Sequence, residues 1–325
     1  MNTQQLVQET CKKYPEALNR TLARLLHEQY PETFLTVEKA RNHVRRVRGV
    51  SGEQNRKQTS DKSGFKEPGV AGTIAIPKGI RQMRAPKRFN DLGKWLICGD
   101  LHVPYHDEKA IVAMLEFAVK QGVQHVYING DLMDFYQLSR FCRDPRFPKA
   151  KKEIKIAKVI AAEIARLIPG RKVFKIGNHD WRFQNYLAQG AAELVGIEDF
   201  ELFRVLGMEA MGYELVESFQ MGYIGKLPIF HGHELPGGGA VNPARGVYLR
   251  VAESAVVNHH HRTSEHNEPG AIKKNLVTCW SIGCLCDMKP EYAIINKWNQ
   301  GCAVVENFGD KYHFENFKIV NGNVY

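Results

Sequence analysis

No apolar stretch in this 325-residue chain approaches the length needed to cross a bilayer, and Met1 to Tyr14 is too polar for a secretory signal. Cys-x-x-Cys pairs are also missing. The seven cysteines, Cys11, Cys98, Cys142, Cys279, Cys284, Cys286 and Cys302, are odd in number and irregularly spaced, so they suggest no disulfide framework and predict reduced, packed thiols. Cys284 and Cys286 flank Leu285 at strand spacing, which places both on one face. No segment repeats another. These absences point to an intracellular, cytoplasmic protein with no membrane partner, and they leave its oligomeric state open.

Charge is abundant but lopsided. Residues 1 to 90 hold 18 Lys and Arg against 8 Asp and Glu, a net +10, while residues 91 to 325 hold 27 of each and balance at zero. The chain therefore divides into a basic segment and a neutral one, and attraction to a polyanion belongs to the first. Within it, Leu18, Leu22, Leu25 and Leu26 define one helix, Tyr30-Pro31-Glu32 breaks it, and Val37, Ala40, Val44 and Val47 define a second that Thr36 can cap. Two short helices joined by a tight turn resemble a helix-turn-helix, which predicts a small all-α domain over residues 1 to 50. Arg41, Asn42, Arg45, Arg46 and Arg48 fall on the non-core faces of the second helix, suited to DNA phosphates and base edges. Residues 51 to 90 lack a hydrophobic period and read as a flexible basic linker, with Ile74 to Ile80 as an edge strand or lead-in.

The neutral segment carries the chemistry. Five clusters, Gly99-Asp100-Leu101-His102, Gly130-Asp131-Leu132-Met133-Asp134, Gly177-Asn178-His179-Asp180, His231-Gly232-His233 and Asn258-His259-His260-His261, each follow a short apolar run of strand character. Amphipathic helices over Glu108 to Gln121 and Ile154 to Leu167 separate the first three, giving a β-α-β-α-β alternation. In such sheets ligands gather at the carboxyl ends of the strands. Asp, His and one Asn form the donor set of two divalent cations sharing a carboxylate, a site that hydrolyses phosphate esters. In a fourth cluster with two candidates, His231 directly follows the apolar run and is favoured as ligand, with His233 a substrate contact. His106, His125, His266 and His313 read as solvated surface residues.

Asp-x-His, Gly-Asp-x-x-Asp, Gly-Asn-His-Asp, a lone His and a final His-x-His, in that order over about residues 94 to 320, resemble the calcineurin-like metallophosphoesterases. Ser139-Arg140-Phe141, Gly283-Cys284-Leu285-Cys286 and Lys297-Trp298-Asn299 are similar to phage and prophage members, which would place the protein in a host cytoplasm. The resemblance implies an α/β fold, a two-sheet sandwich flanked by helices, over residues 91 to 325. It implies Asp100, His102 and His261 on a first metal, Asn178, His231 and His259 on a second, and Asp131 bridging them. It makes His179 the proton donor to the leaving oxygen, oriented by Asp134, and a metal-bound hydroxide the nucleophile. Mn is the leading metal, with Fe, Zn or Ni compatible. Asn258 stands where the family has glycine, in a position that Asn can also fill if the backbone is left-handed.

Substrate is less constrained than chemistry. The basic segment points to phosphodiesters in nucleic acid or nucleotides, and so to nuclease or phosphodiesterase activity. Protein phosphatases of the family resembled carry an arginine directly after Gly-Asp-x-x-Asp, where this chain has Phe135, so a phosphomonoesterase ranks second. A DNA-binding regulator with an inactive phosphoesterase scaffold is a further alternative, disfavoured by the intact donor set. Arg182 reads equally as a clamp for a phosphate oxygen or a surface ion-pair partner.

Overall fold

Strand β2, Gly93–Cys98, alternates in the way that builds layers: Leu96 and Cys98 face one core, Trp95 and Ile97 another. The computed structural model describes residues 2–48, 79, 84–141, 143–235, 237, 241–270, 275–290 and 295–325. They fall into two units, divided at Arg81 and Gln82.

In the larger unit β2 joins β3 (His125–Asn129), β4 (Lys172–Lys175) and β5 (Tyr213–Val216) in parallel. Antiparallel β11 (Gln300–Asn307), β12 (Tyr312–Val320) and β13 (Asn323–Val324) complete a seven-stranded sheet. Helices α4 (Glu108–Lys120) and α5 (Ala150–Leu167) cross between the parallel strands and cover its outer face. The first buries Ala110, Ile111, Met114, Leu115 and Ala118, as their spacing predicts, and begins where the Asp107 carboxylate accepts from Ala110 N at 3.0 Å. The second begins ahead of the predicted Ile154.

A second sheet of six strands runs β1-β6-β7-β8-β10-β9, from Lys87–Phe89 through Gly222–Ile224, Leu227–Phe230, Ala255–Val257 and Leu276–Ser281 to Ser264–Pro269. Its inner face packs Ile224, Leu227, Ile229, Val256 and Trp280 against Trp95, Ile97, Tyr127 and Val173. Its outer face is covered by a helix, Pro243–Val251, through Ala244 and Val247. The result is the two-sheet sandwich flanked by helices, and the core between the sheets holds both against each other at about 1.5–3 kcal/mol per buried large side chain. Strand β1 lies inside the range read as linker: Phe89 is buried against Trp95 and Tyr127, so this unit starts earlier than residue 91. Apart from Gly79, the stretch Ile74 to Ile80 lies outside the described residues.

Among the described residues, the smaller unit has three helices, α1 (Thr3–Lys13), α2 (Asn19–Gln29) and α3 (Val37–Arg48), around Val7, Leu22, Ala23, Leu26, Phe34, Ala40 and Val44. The polar opening of the chain hid α1, whose apolar side is only Leu6, Val7 and Cys11. Val47 is exposed rather than part of the core. Among the described residues, no helix is long and apolar enough to cross a membrane. The six described cysteines are free and buried, while Cys142 lies outside the described residues.

Candidate metal centre

Five strand ends converge. Asp100 and His102 follow β2, Asp131 and Asp134 follow β3, Asn178 and His179 follow β4, His231 follows β7, and His259 and His261 follow β8. The first three strands belong to one sheet and the last two to the other, so the site lies on the seam where the two sheets present their carboxyl ends.

The loops turn sharply to aim these side chains. Asp100, His102, Asp131, His259 and His261 hold φ of 52°, 47°, 51°, 63° and 55°, left-handed backbone that non-glycine residues seldom adopt. Each costs on the order of 1–3 kcal/mol, and clustering of such residues marks a functional site. The left-handed positions after β8 are His259 and His261, not Asn258. Asn258 is instead buried, its side-chain carbonyl accepting from Asn129 Nδ2 at 2.9 Å, which ties the ends of β8 and β3. Close approach explains two glycines: a Cβ on Gly130 would lie 2.5 Å from His231 Nδ1, and one on Gly177 would lie 2.2 Å from Asp131 Oδ1.

Hydrogen bonds fix which imidazole nitrogen faces inward. His231 Nδ1 donates to Asn129 O at 2.7 Å, leaving Nε2 directed at Asp131 Oδ2 (3.2 Å) and Asn178 Oδ1 (3.1 Å). His102 Nδ1 donates to Asp134 Oδ1 at 3.1 Å, and its Nε2 lies 3.1 Å from His261 Nε2. Asp100 is fully buried. One of its oxygens accepts from His259 N at 2.8 Å, but Oδ1 has no hydrogen-bond partner and sits 3.5, 3.9 and 4.0 Å from the Nε2 atoms of His261, His231 and His102. Donor atoms of Asp100, His102 and His261 lie close enough to share one ion, as do those of Asp131, His231 and His259. Electrostatics agree that the cage wants positive charge. Burial would lower His231, yet the Asp131 and Asp100 carboxylates override it and raise the imidazole to about 10. Half-buried His259 goes the other way, desolvation and the repulsion of His231 lowering it to about 4.

His179 stands beside this cage. Its Nδ1 donates to Asp134 Oδ1 at 3.1 Å, so one carboxylate oxygen orients both His102 and His179. Attraction to these two imidazoles outweighs burial and holds Asp134 far below the usual carboxylate range. Arg182 is half-buried and faces Asp134: it donates to Asp134 O at 2.8 Å and lies 4.0 Å from its Oδ2, while Nη2 lies 3.1 Å from His179 Nε2. His233 points elsewhere, with Nε2 2.8 Å from Ser218 Oγ in a neighbouring cleft.

Some supporting residues escaped the sequence reading. Lys175, fully buried, pairs with Glu234 at 2.8 Å, and Glu234 Oε2 accepts from Gly232 N at 2.7 Å, which anchors the His231 turn. A lysine inside the apolar run Val173 to Ile176 was the available signal. Asp180 accepts from Met133 N and Gly177 N, both at 2.9 Å, and stitches two ligand loops together; burial and Asp131 raise it to about 7. Cys286 Sγ lies 3.9 Å from His261 Nδ1, and Trp298 packs edge-on against the same imidazole at 4.3 Å. Only His313 of the four histidines read as solvated is exposed. His106 and His266 are half-buried, and His125 lies over Trp95 at 4.7 Å while its Nδ1 accepts from Arg171 N.

The residues proposed for nucleic acid lie in the other unit and divide. Asn42 and Arg46 are exposed, Arg45 is half-buried, and Arg41 pairs with Glu38 at 3.3 Å. Arg48 turns inward: its guanidinium donates to the carbonyls of Cys11 (3.2 Å), Tyr14 and Ala17, so it braces α3 against the α1–α2 turn instead of facing solvent.

Residues 93–272 match the family model for calcineurin-like phosphoesterases. The Gene 54 protein of Mycobacterium phage L5 is 26% identical over 246 residues, spanning 70% of this chain and 94% of that protein. Among solved structures, Vacuolar Protein Sorting 29 from Cryptosporidium parvum is similar at a TM-score of 0.42 and 13% identity, covering 72% of this chain and 96% of that one. YfcE, a phosphoesterase from E. coli, is similar at 0.33 and 14%, covering 68% and 98%. The family match begins with the strand that delivers Asp100 and runs past the histidines after β8: this chain belongs to the calcineurin-like phosphoesterase family.

Proposed function

We propose that the protein is a hydrolase that cleaves phosphodiesters in nucleic acid or nucleotides with two divalent cations, manganese foremost. The observation that carries this reading is Asp100 Oδ1, a buried carboxylate oxygen without a hydrogen-bond partner, encircled by three imidazole Nε2 atoms. Acceptors gathered around an unsatisfied buried charge are stable when a cation joins them. Asp100, His102 and His261 would hold one ion, Asn178, His231 and His259 the other, with Asp131 between. Bound there, divalent ions make a water acidic enough to ionise near neutral pH and offset the charge of the phosphate.

The remaining steps fall to side chains. His179 is steadied through Nδ1 by Asp134, and its Nε2 accepts from Arg182 Nη2; once that guanidinium turns to a phosphate oxygen, Nε2 is free to carry a proton and pass it to the oxygen that leaves when the P–O bond breaks. Arg182 places a guanidinium next to that nitrogen, where it can bind a phosphate oxygen. The α2–turn–α3 pair acts as a helix-turn-helix that offers Arg41, Asn42, Arg45 and Arg46 to a polyanion and concentrates the enzyme on it.

A hydrolysis screen of the manganese-loaded protein tests the reading, using single-stranded DNA, duplex DNA, RNA, a cyclic nucleotide, a diester dye and a phosphopeptide. Cleavage of diesters with little action on the phosphopeptide is expected. Turnover of the phosphopeptide alone would overturn it.

A further inference from the structure

A cavity of about 420 Å³ opens directly beside the metal centre and shares Asn178, Arg182 and His233 with its surroundings. Three of its walls are aromatic rings left in solvent: Phe141 is 66% exposed, Phe219 69% and Tyr186 49%. Exposed large rings scattered singly need no explanation, but three around one hole beside a candidate active site do.

Each ring comes from a segment that also shapes the centre. Phe141 lies beyond Asp134 on the loop after β3, Tyr186 lies on α6 (Arg182–Gly190) whose first residue is Arg182, and Phe219 follows Ser218 after β5. Phe219 is set edge-on to His233 with ring centres 5.3 Å apart, and His233 is in turn hydrogen-bonded to Ser218, so the ring is held in place while remaining open to solvent. A cation also borders the space, with the Arg140 guanidinium 5.3 Å from the centre of the Phe141 ring. Exposed ring faces, an arginine and a floor that leads to Asn178 form a site for a flat aromatic group attached to a phosphate.

We infer that this cleft takes the unpaired nucleobase next to the scissile phosphate, stacked among Phe141, Tyr186 and Phe219. The inference rests on the phosphodiester reading and narrows it. In a duplex both faces of each base are covered by neighbours, so the preferred substrates are single strands, frayed ends and nucleotides. Stacking is tolerant of sequence because every base has a π face, and the cleft therefore selects strandedness more than base identity.

The test compares, with the full-length protein, a single-stranded oligonucleotide against the same backbone carrying tetrahydrofuran abasic residues, and follows the fluorescence of a 2-aminopurine strand on binding. Base-bearing substrate should exceed abasic in kcat/KM by roughly 5- to 150-fold, the range of one stacked base, and 2-aminopurine should be quenched. Changing Phe141, Tyr186 and Phe219 to Leu, which keeps bulk and removes the π faces, should bring the ratio near one and abolish the quench. Equal hydrolysis of both substrates by the unaltered protein, or a preference for duplex, overturns the inference while leaving the phosphodiester reading intact. Quenching that the leucine variant loses, with no hydrolysis of either strand, supports the cleft assignment and sinks the phosphodiester reading.

Discussion

The candidate metal centre and the N-terminal helical unit handle charge in opposite ways. At the centre, Asp100, Asp131, Asp134, Asp180 and His231 are buried and interlocked, with Asp100 and Asp131 on left-handed backbone. In the helical unit Arg46 is exposed, Arg41 and Arg45 are half-buried, and Arg48 turns inward to serve the fold. Buried charge is strongly unfavourable unless each group has a counterpart. A constellation that sustains it therefore specifies chemistry, whereas a basic helix specifies only a preference for anions.

If the centre is the strained and specific region, the largest effect should come from its middle. Asp131→Ala should reduce manganese-dependent hydrolysis to background and lower metal content, because the carboxylate stands between two clusters of donors and also accepts from His179 N at 2.8 Å. Metal analysis together with a diester assay checks this, and full activity with both ions retained would remove the central claim. His179→Ala should slow turnover by roughly two to four powers of ten with metal content nearly intact, and less so for substrates with very good leaving groups. Loss of metal from that variant would mean that His179 is a ligand.

Support for the centre should register as stability. Lys175→Met leaves Glu234 buried without its partner and should cost about 3–5 kcal/mol in denaturant unfolding. The pH dependence follows from Glu234. Burial opposes its ionisation, but Lys175 prevails and holds it at about 2 against an ordinary 4.5. A carboxyl lowered on folding contributes stability that is complete above its unfolded value and is lost as pH falls through its folded one. The natural protein should therefore lose this contribution between about pH 4.5 and about pH 2, and Lys175→Met should have little left to lose there. Coincident stability curves for the two proteins across that range would assign the pair no role.

The two regions also differed in how far sequence reached. The convergence of the predicted donors was legible because each follows a short β-rich run, and a strand end is a place as well as a pattern. Lys175, Glu234 and the bridging use of Asp180 were not, since pairing across loops is set by tertiary approach. Asn258 shows the limit of local rules: residue type allowed left-handed backbone there if it was needed, but Asn258 is buried against Asn129 and the left-handed backbone falls on His259 and His261. In the helical unit periodicity located α2 and α3 but missed α1, whose small apolar face matters only once the other helices cover it. Arg48 misled for a related reason. Helical spacing gives a direction from the axis, and a long side chain can still fold back to carbonyls.

The smallest expected effect is the one that tests whether the helical unit has a use for its charge. Arg41, Arg45 and Arg46 together changed to Ala should weaken DNA binding by the full-length protein and flatten its salt dependence, by roughly 0.9 in the slope of log affinity against log salt for each phosphate that is no longer neutralised. Hydrolysis of a small diester dye should be unaffected, because the proposed ligands all lie beyond Gly99 in the other unit. Arg48→Ala should do the reverse. Removing a guanidinium that serves three carbonyls should destabilise the helices by about 1.5–3 kcal/mol, the scale of a hydrogen bond to a charged group, while leaving the salt slope of whatever remains folded nearly as before. If instead Arg48→Ala flattens the slope and the triple variant does not, then α3 meets DNA through its carboxyl end, and the division between bracing and binding arginines falls.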